Sequence, residues 1–308
     1  MKLIIQIPCL NEAEHIATTI ADLPRAISGI SVIEYLVIDD GSTDATSQVA
    51  RDAGAHHIVR LSMNRGLAAS FQAGIECAIE QGADIIVNTD ADNQYRGADV
   101  EKLVRPILER RADLVIGIRP IDKIEHFSWA KKRLQKIGSF VVRSVSGTEV
   151  RDATSGFRAF SRQFARSLNL TTRYTHTLET LVHAGGQSLR IAQVPVGVNA
   201  KLRESRLFKS SAGYVMRSML DIFRIYLHFR GHRFFMWLGT LLIVPGIALG
   251  LRYVYLDLQG VGGGRVQSLI LAAILIIMGF QSWLMAILVS AQKGNRVMIE
   301  RLLSKSKR

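Results

Sequence analysis

From residue 85 the chain runs Ile85-Ile86-Val87-Asn88-Thr89-Asp90-Ala91-Asp92-Asn93-Gln94, an apolar run that ends in two carboxylates two residues apart and an amide. A short apolar run bounded by polar turn formers suits a strand buried on both faces, as in a parallel sheet. Two carboxylates leaving such a strand, followed by Gln94, present hard oxygen ligands to a single divalent cation such as Mg²⁺ or Mn²⁺, whose shell diphosphate oxygens would complete. An isolated Asp-x-Asp is common in loops, so its weight depends on what surrounds it.

The surroundings repeat the pattern. Residues 3–7, 35–38 and 57–61 read as strands before this one and residues 114–118 as a strand after it, while residues 43–53 and 67–81 carry helical spacing. That alternation predicts an α/β domain with a largely parallel sheet, in which ligands bind at the carboxyl ends of the strands. Those ends are polar: Pro8-Cys9-Leu10-Asn11-Glu12, Asp39-Asp40-Gly41-Ser42-Thr43-Asp44, Asn64-Arg65-Gly66 and the Asp90–Gln94 cluster. Plainer roles compete for some of them: Asp44 or Thr43 can cap the following helix, and residues 64–66 can be only a turn. The sequence holds no Gly-x-Gly-x-x-Gly and no Gly-Lys-Ser/Thr, so a diphosphate bound here must be neutralised by metal and basic side chains.

Charge is distributed unevenly. Of the net +13, residues 1–200 contribute 23 basic and 22 acidic side chains, and residues 201–308 contribute 16 and 4. A near-neutral first part argues against nucleic acid as partner. With 48% hydrophobic residues and six prolines the chain is not disordered, and its two cysteines, Cys9 and Cys77, suit reduced thiols with no required role. The basic excess flanks two uncharged runs, residues 234–251 and 266–292, each long enough for a transmembrane helix. The short Gly-rich connector between them makes a hairpin. Arg230 and Arg233 before it, and Lys293, Arg296, Arg301, Lys305, Lys307 and Arg308 after it, place both ends in the cytoplasm by the positive-inside rule. Val215, Met216, Met219, Leu220, Phe223, Tyr226 and Leu227 recur at helical spacing, predicting an interfacial amphipathic helix over 211–233; an ordinary helix packed on the soluble domain gives the same pattern. The expected organisation is a soluble domain over 1–210, that helix, a hairpin over 234–292 and a basic tail over 293–308. The apolar run after Lys2 is too short for a signal peptide.

Taken together, the strand-end motifs and Asp152-Ala153-Thr154-Ser155-Gly156-Phe157-Arg158 resemble the inverting glycosyltransferases of the GT-A fold. More narrowly, the chain resembles polyprenyl-phosphate glycosyltransferases of the dolichol-phosphate mannose synthase type with a two-helix membrane anchor. The resemblance implies transfer of one hexose from a nucleotide sugar of the UDP-glucose or GDP-mannose type to polyprenyl phosphate, at the cytoplasmic face of a bacterial-type inner or plasma membrane. It further implies that Pro8, Leu10, Glu12, Asp39 and Asp40 contact the nucleoside, that Asp90 and Ala91 lie near ribose and phosphate, and that Asp92 and Gln94, with Asp90, ligate Mg²⁺ or Mn²⁺. Leu10 departs from the Tyr of many relatives, which weakens base stacking there. Arg119 matches an arginine near the sugar diphosphate, and Arg133, Arg203 and Arg206 match positions for lipid phosphate or diphosphate, Arg206 also counting as catalytic. Relatives of this type suggest a homo-oligomer, with a tetramer as one arrangement.

Asp152 opens the stretch that the family places beside the acceptor, which makes it the candidate base or orienting group. A structural carboxylate, paired with Arg158 or capping a turn, is the alternative. Because a phosphate nucleophile is already an anion, positioning should count for more than proton removal. His126 and His176 are candidates for lining the acceptor site, and Glu179 for bracing it. Transfer to another lipid or into a polysaccharide is the nearest rival activity; the chain lacks the Gln-x-x-Arg-Trp segment usual in processive synthases. A non-catalytic membrane adaptor or sugar-nucleotide sensor is the rival of a different class, and the intact Asp90 and Asp92 argue against it.

Overall fold

The computed structural model describes residues 1–120, 147–168, 176–187, 189–199, 211–259 and 266–306. It divides into two units, Met1–Met219 and Leu220–Arg308.

In the first unit, β1 (Lys2–Cys9), β2 (Val32–Asp39), β3 (His57–Arg60) and β4 (Ile85–Asn88) alternate with α1 (Ile16–Asp22), α2 (Thr46–Asp52) and α3 (Leu67–Glu80). After β4 come α4 (Val100–Leu108), β5 (Leu114–Ile118), β6 (Arg158–Ser161), α5 (Arg162–Ser167), α6 (His176–Gly186) and β7 (Ile191–Pro195). They form one seven-stranded sheet in the order β3-β2-β1-β4-β6-β5-β7. All pairings are parallel except those of β6, which runs antiparallel between β4 and β5. All five strands expected before residue 120 are present; β6 and β7 are additions that the sequence pattern did not announce.

Side chains along β1 and β2 alternate between two cores, as the two-residue period of a strand requires. Leu3, Ile5, Ile7 and Val37 pack under α1, α2 and α4 through Ile16, Ile20, Ala50, Leu103 and Val104. Ile4, Leu36 and Ile38 pack under α3, α5 and α6 through Phe71, Ile75, Phe164 and Leu181. A sheet covered on both faces needs the continuous aliphatic runs seen in the sequence. Register then aligns the carboxyl ends: Cys9 lies opposite Asp39, and Asp39 opposite Arg60.

The second unit is built on α7 (Ser211–Leu258), from Leu220 onward, and α8 (Val266–Ser306). Arg230, at φ −126° and ψ 18°, interrupts the helical dihedrals of α7. This kink falls inside the expected interfacial segment, and the apolar stretch begins at it: Arg230–Leu258 and Val266–Gln292 are both long and apolar enough to cross a membrane. Most of their side-chain surface faces outward, and the two helices meet through small residues. A Cβ on Gly239 would stand 2.7 Å from the Gly279 carbonyl, and one on Gly246 3.1 Å from that of Ala272. Such close backbone approach is how apolar helices associate where no hydrophobic force drives them together. Trp283 adds a hydrogen bond from Nε1 to the Met236 carbonyl at 3.2 Å.

Candidate functional site at the strand ends

The ends of β1, β2 and β3 are laced into one floor by side chains bonding across loops. Asp39 Oδ1 accepts from the Ser42 amide at 2.7 Å, and its Oδ2 accepts from Ser47 and lies 3.7 Å from Arg60 Nε. Asp40 accepts from the amides of Arg65 and Gly66 at 2.8 and 2.9 Å. Asn11, with φ 54°, accepts from the Thr43 amide and donates its own amide to Ser42. The Glu12 amide donates to Thr46. Asp44 accepts from the Thr46 amide at 3.0 Å, two residues on, in the turn that leads into α2; the N-cap position of α2 is Ala45, so neither Asp44 nor Thr43 stands at the cap. Residues 64–66 are irregular, closed by the Gly66 amide donating to the Asn64 side chain and clamped to Asp40 by the Arg65 and Gly66 amides. Pro8 and Glu12 are buried here and Leu10 half-buried.

Gly41 is the point where two of these loops touch. Its φ is +76°, and a Cβ would stand 2.6 Å from the Met63 carbonyl carbon. Gly41→Ala is therefore expected to lower stability by about 2–3 kcal/mol through strain and backbone clash together. The thermal midpoint of the detergent-solubilised protein checks this; an unchanged midpoint contradicts the packing described.

Beyond β4, the loop carrying Asp90, Asp92 and Gln94 is held from three sides. Thr19 donates to the Ala91 carbonyl at 2.8 Å; Asn199 donates from its side chain to the carbonyls of Asn93 and Tyr95 and from its amide to that of Gln94. Asp92 accepts from the Gln94 amide at 3.2 Å. Underneath runs a buried polar chain in which Gln6 donates to Asn88, Asn88 to the Gly156 carbonyl, and the Gly156 amide to the Tyr95 hydroxyl. A Cβ on Gly156 would lie 3.0 Å from Asp90 Oδ1, so this glycine leaves the space that the carboxyl uses. Asp90 keeps some solvent access but sits deep among protein atoms. Burial, then the neighbouring Asp92 carboxylate, push its pKa up to about 7 against the pull of Arg119.

Arg119, just after β5, grips Asp152 with a two-pronged fork: Nε to Oδ2 at 2.8 Å and a terminal nitrogen to Oδ1 at 3.0 Å. Thr154 donates to the same Oδ1 at 2.9 Å. Asp152 is fully buried. Burial alone would raise its pKa, but the Arg119 fork and the Thr154 hydroxyl hold it below the ordinary carboxylate range. Two residues that the sequence assigned to different ligands are thus one unit, and the alternative partner, Arg158, is engaged elsewhere. Arg158, also fully buried, donates to the carbonyls of Ala153, Ser155 and Thr177 and to the Thr180 hydroxyl, tying the Asp152–Gly156 loop to α6. Tyr95 and Asn199 also shape the site, and nothing in their spacing marks them; Gly156 stands in the Asp152–Arg158 stretch without a role assigned from sequence. Arg133, Arg203 and Arg206 lie outside the described residues, as does His126.

His176 is stacked on Phe71 with ring centroids 4.3 Å apart, and neither ring nitrogen has a hydrogen bond among the described residues. Burial, with Arg158 nearby, pushes its pKa down to about 3. Between that value and about 6.5 the unfolded chain binds a proton that the folded chain does not, so stability falls as pH drops through this window. His176→Phe is expected to be more stable by about 1 kcal/mol at pH 7.5 and to lose less on acidification to pH 5 than the parent. Thermal midpoints at the two pH values check this; parallel losses would contradict a buried neutral histidine. Cys9 is buried and donates to the Ile38 carbonyl; burial and nearby carboxylates push its thiol far up, which leaves it unreactive.

Comparison with known proteins fits this geometry. The chain is 28% identical over 235 residues to an undecaprenyl-phosphate mannosyltransferase of Micrococcus luteus, covering 73% of this chain and 93% of the relative. It is 24% identical over 232 residues to a polyprenol monophosphomannose synthase of Mycolicibacterium smegmatis, covering 72% and 85%. Among solved structures, glucosyl-3-phosphoglycerate synthase of Mycobacterium tuberculosis, in complex with Mn²⁺, UDP and glucosyl-3-phosphoglycerate, superposes with a TM-score of 0.58 at 22% identity, over 75% of this chain and 80% of that one. That likeness identifies the fold as GT-A-like. Residues 4–168, which hold the carboxyl ends of β1 to β6, match glycosyl transferase family 2, and the chain belongs to that family.

Proposed function

We propose that the chain transfers a single hexose, with inversion, from a nucleotide-diphosphate sugar to polyprenyl phosphate at the cytoplasmic face of a membrane in which the α7–α8 hairpin is embedded. The observation that carries this reading is the charge arrangement after β4 and β5, where Asp90, its pKa raised to about 7, lies within electrostatic reach of an arginine fixed by a buried carboxylate. The acceptor class is supported by the activities named for the Micrococcus and Mycolicibacterium relatives.

The donor set fits a divalent metal. No three His, Cys, Asp or Glu side chains converge on such an ion among the described residues, so the protein alone does not fill its shell. Asp90 and Asp92, with Gln94, suit Mg²⁺ or Mn²⁺, which keep several water or phosphate oxygens and need only one or two carboxylates. Burial first, and the Asp92 carboxylate second, disfavour the charged form of Asp90 despite Arg119, a penalty that a bound cation would relieve. The ion would supply Lewis-acid neutralisation of the leaving diphosphate; the structural neighbour is in complex with Mn²⁺ and UDP.

The chain's own residues do the rest. Pro8, Leu10, Glu12, Asp39 and Asp40 form the nucleoside floor, where the carboxylates of Asp39 and Asp40 also hold the loops in place. Arg119 offers a preorganised cation to the diphosphate as negative charge grows there. Asp152 fixes the plane of that guanidinium and stays ionised, so it acts as a positioning residue and the anionic acceptor needs no base. Arg133, Arg203 and Arg206 would hold the acceptor phosphate.

Membranes carrying the chain, incubated with nucleotide sugars labelled in the hexose, test this. Label recovered in the lipid extract as a mild-acid-labile phosphodiester, of opposite anomeric configuration to the donor and lost on chelation, supports the proposal. Label left in the aqueous phase, or retained configuration, contradicts it.

A further inference from the structure

Asn199, just beyond β7, holds three consecutive carbonyls of the loop that carries the candidate metal ligands. Its side-chain nitrogen donates to the carbonyls of Asn93 at 3.1 Å and Tyr95 at 3.3 Å, and its backbone amide donates to that of Gln94 at 2.9 Å. Asp22 Oδ2 lies farther from the same nitrogen, at 3.5 Å. The groups this nitrogen meets are all oxygens, so the NH₂ end of the side-chain amide must face them. Asn199 is itself anchored. The Val196 amide donates to the Ile118 carbonyl at 3.0 Å, the Gly197 amide to Asp99 Oδ2 at 2.6 Å, and Val198 forms an antiparallel bridge with Tyr95.

These bonds bracket Gln94. The Asn93 carbonyl belongs to the peptide plane before the Gln94 Cα and the Gln94 carbonyl to the plane after it, and each plane is rigid. Holding both planes fixes the direction of the Gln94 Cα–Cβ bond. Asp92 Oδ1 steadies the first plane as well, accepting the Gln94 amide at 3.2 Å. Asn93, at φ 52°, has a left-handed backbone that persists only where its surroundings impose it, and the bond from Asn199 to its carbonyl is one of those constraints.

We propose that Asn199 is a positioning residue for the metal site, which fixes the backbone on both sides of Gln94 and thereby aims the Gln94 amide at the ion that Asp90 and Asp92 would hold. This role presupposes the metal reading of the Asp90–Gln94 loop. An uncharged amide on a flexible side chain adds little to the binding of a hard cation unless it is held ready, because ordering it at the moment of binding costs conformational entropy. Small divalent ions are also strict about ligand geometry, so the direction from which Gln94 approaches matters. Partners that orient a ligand are in general worth a large share of the affinity it provides.

Mn²⁺ binding by the purified full chain, read from the EPR signal of the free ion, tests this without turnover. Asp92→Ala supplies the baseline for adventitious Mn²⁺. Asn199→Ala, which keeps the backbone bond to Gln94 and loses both side-chain bonds, should weaken Asp92-dependent binding by about tenfold. Gln94→Ala should weaken it to a similar degree. The double variant should be within about twofold of Gln94→Ala, since Asn199 acts through Gln94. Asn199→Ser, with one donor on a shorter side chain, should fall between the parent and Asn199→Ala, and carries the comparison if the alanine variant does not fold. Ser161→Ala is the structural control. It removes the cap of α5 beside the start of β4, at the opposite end of that strand from the site, and should lower the thermal midpoint without changing Mn²⁺ affinity. Parent-like affinity in the Asn199 variants, losses that multiply in the double variant, or an equal loss in Ser161→Ala would each overturn the role of Asn199 while leaving the metal reading in place. A parent with no Asp92-dependent Mn²⁺ binding would contradict the metal reading itself, and this role with it.

Discussion

Asp92→Ala is expected to reduce turnover by on the order of 10²–10³-fold or more, while the protein still folds and enters the membrane. The local cost of the change is small, because the one bond described for the Asp92 carboxylate is from the Gln94 amide at 3.2 Å, in a loop that Thr19 and Asn199 hold independently. The chemical cost is large. Asp90 loses the neighbour whose charge helps raise its pKa, so its pKa should fall, and the pair that would bind a divalent ion is reduced to one carboxylate. Asp92→Asn, which keeps an oxygen to accept the Gln94 bond, should be nearly as slow, and both variants should need far more Mg²⁺ for half-maximal rate. Wild-type turnover by either variant at ordinary Mg²⁺ would contradict the metal assignment.

A cycle of substitutions at Arg119 and Asp152 is expected to be strongly non-additive. Arg119→Ala should cost about 10²-fold in kcat/KM by removing a preorganised cation, and Asp152→Asn about tenfold by loosening its orientation. The double variant should be within a few-fold of Arg119→Ala alone, since Asp152 acts through the arginine. Were Asp152 an independent base, the two losses would multiply. At position 152 the isosteric Asn is the informative substitution, because Asp152→Ala would leave a mostly buried guanidinium unpaired, a cost of roughly 3–5 kcal/mol in folding; Arg119→Ala strands the buried Asp152 carboxylate in the same way, so each variant's thermal midpoint is measured beside its rate and rates are compared only at temperatures where all are folded. The pH profile gives a second check: with Asp152 held below the ordinary carboxylate range and Asp90 pushed up to about 7, a loss of rate on acidification from pH 8 to pH 6 should follow the Asp90–Asp92 pair and persist unchanged in Asp152→Asn.

What the sequence made legible follows from the range of each signal. The hairpin is written in the length of two uncharged runs, a local property, and the second stretch, Val266–Gln292, coincides with the expected one. The kink at Arg230 leaves no such mark. The first five strands are equally local, because each is an aliphatic run ending in polar residues. Strand β6, Arg158–Ser161, is four residues long and begins with a buried arginine, so period and composition both conceal it. The site was legible in its residue types and not in its pairings. Asp152 and Arg158 are neighbours in sequence and looked like partners; Asp152 instead pairs with Arg119, thirty-three residues earlier, because β5 and the Asp152 loop converge in space. In the same way, Asp39 and Asp40 stand out as two adjacent acids; the Ser42 amide that Asp39 holds is local, but the Arg65 and Gly66 amides held by Asp40 lie in a loop whose proximity depends on strand register.

The most direct measurement of the central claim is the acceptor dependence of purified protein in liposomes with Mg²⁺ and a labelled nucleotide sugar, prepared with and without polyprenyl phosphate. Formation of a polyprenyl-phosphate hexose of the expected mass only where polyprenyl phosphate is present is the predicted result. Equal incorporation without it, or no incorporation with any nucleotide sugar, would contradict the account.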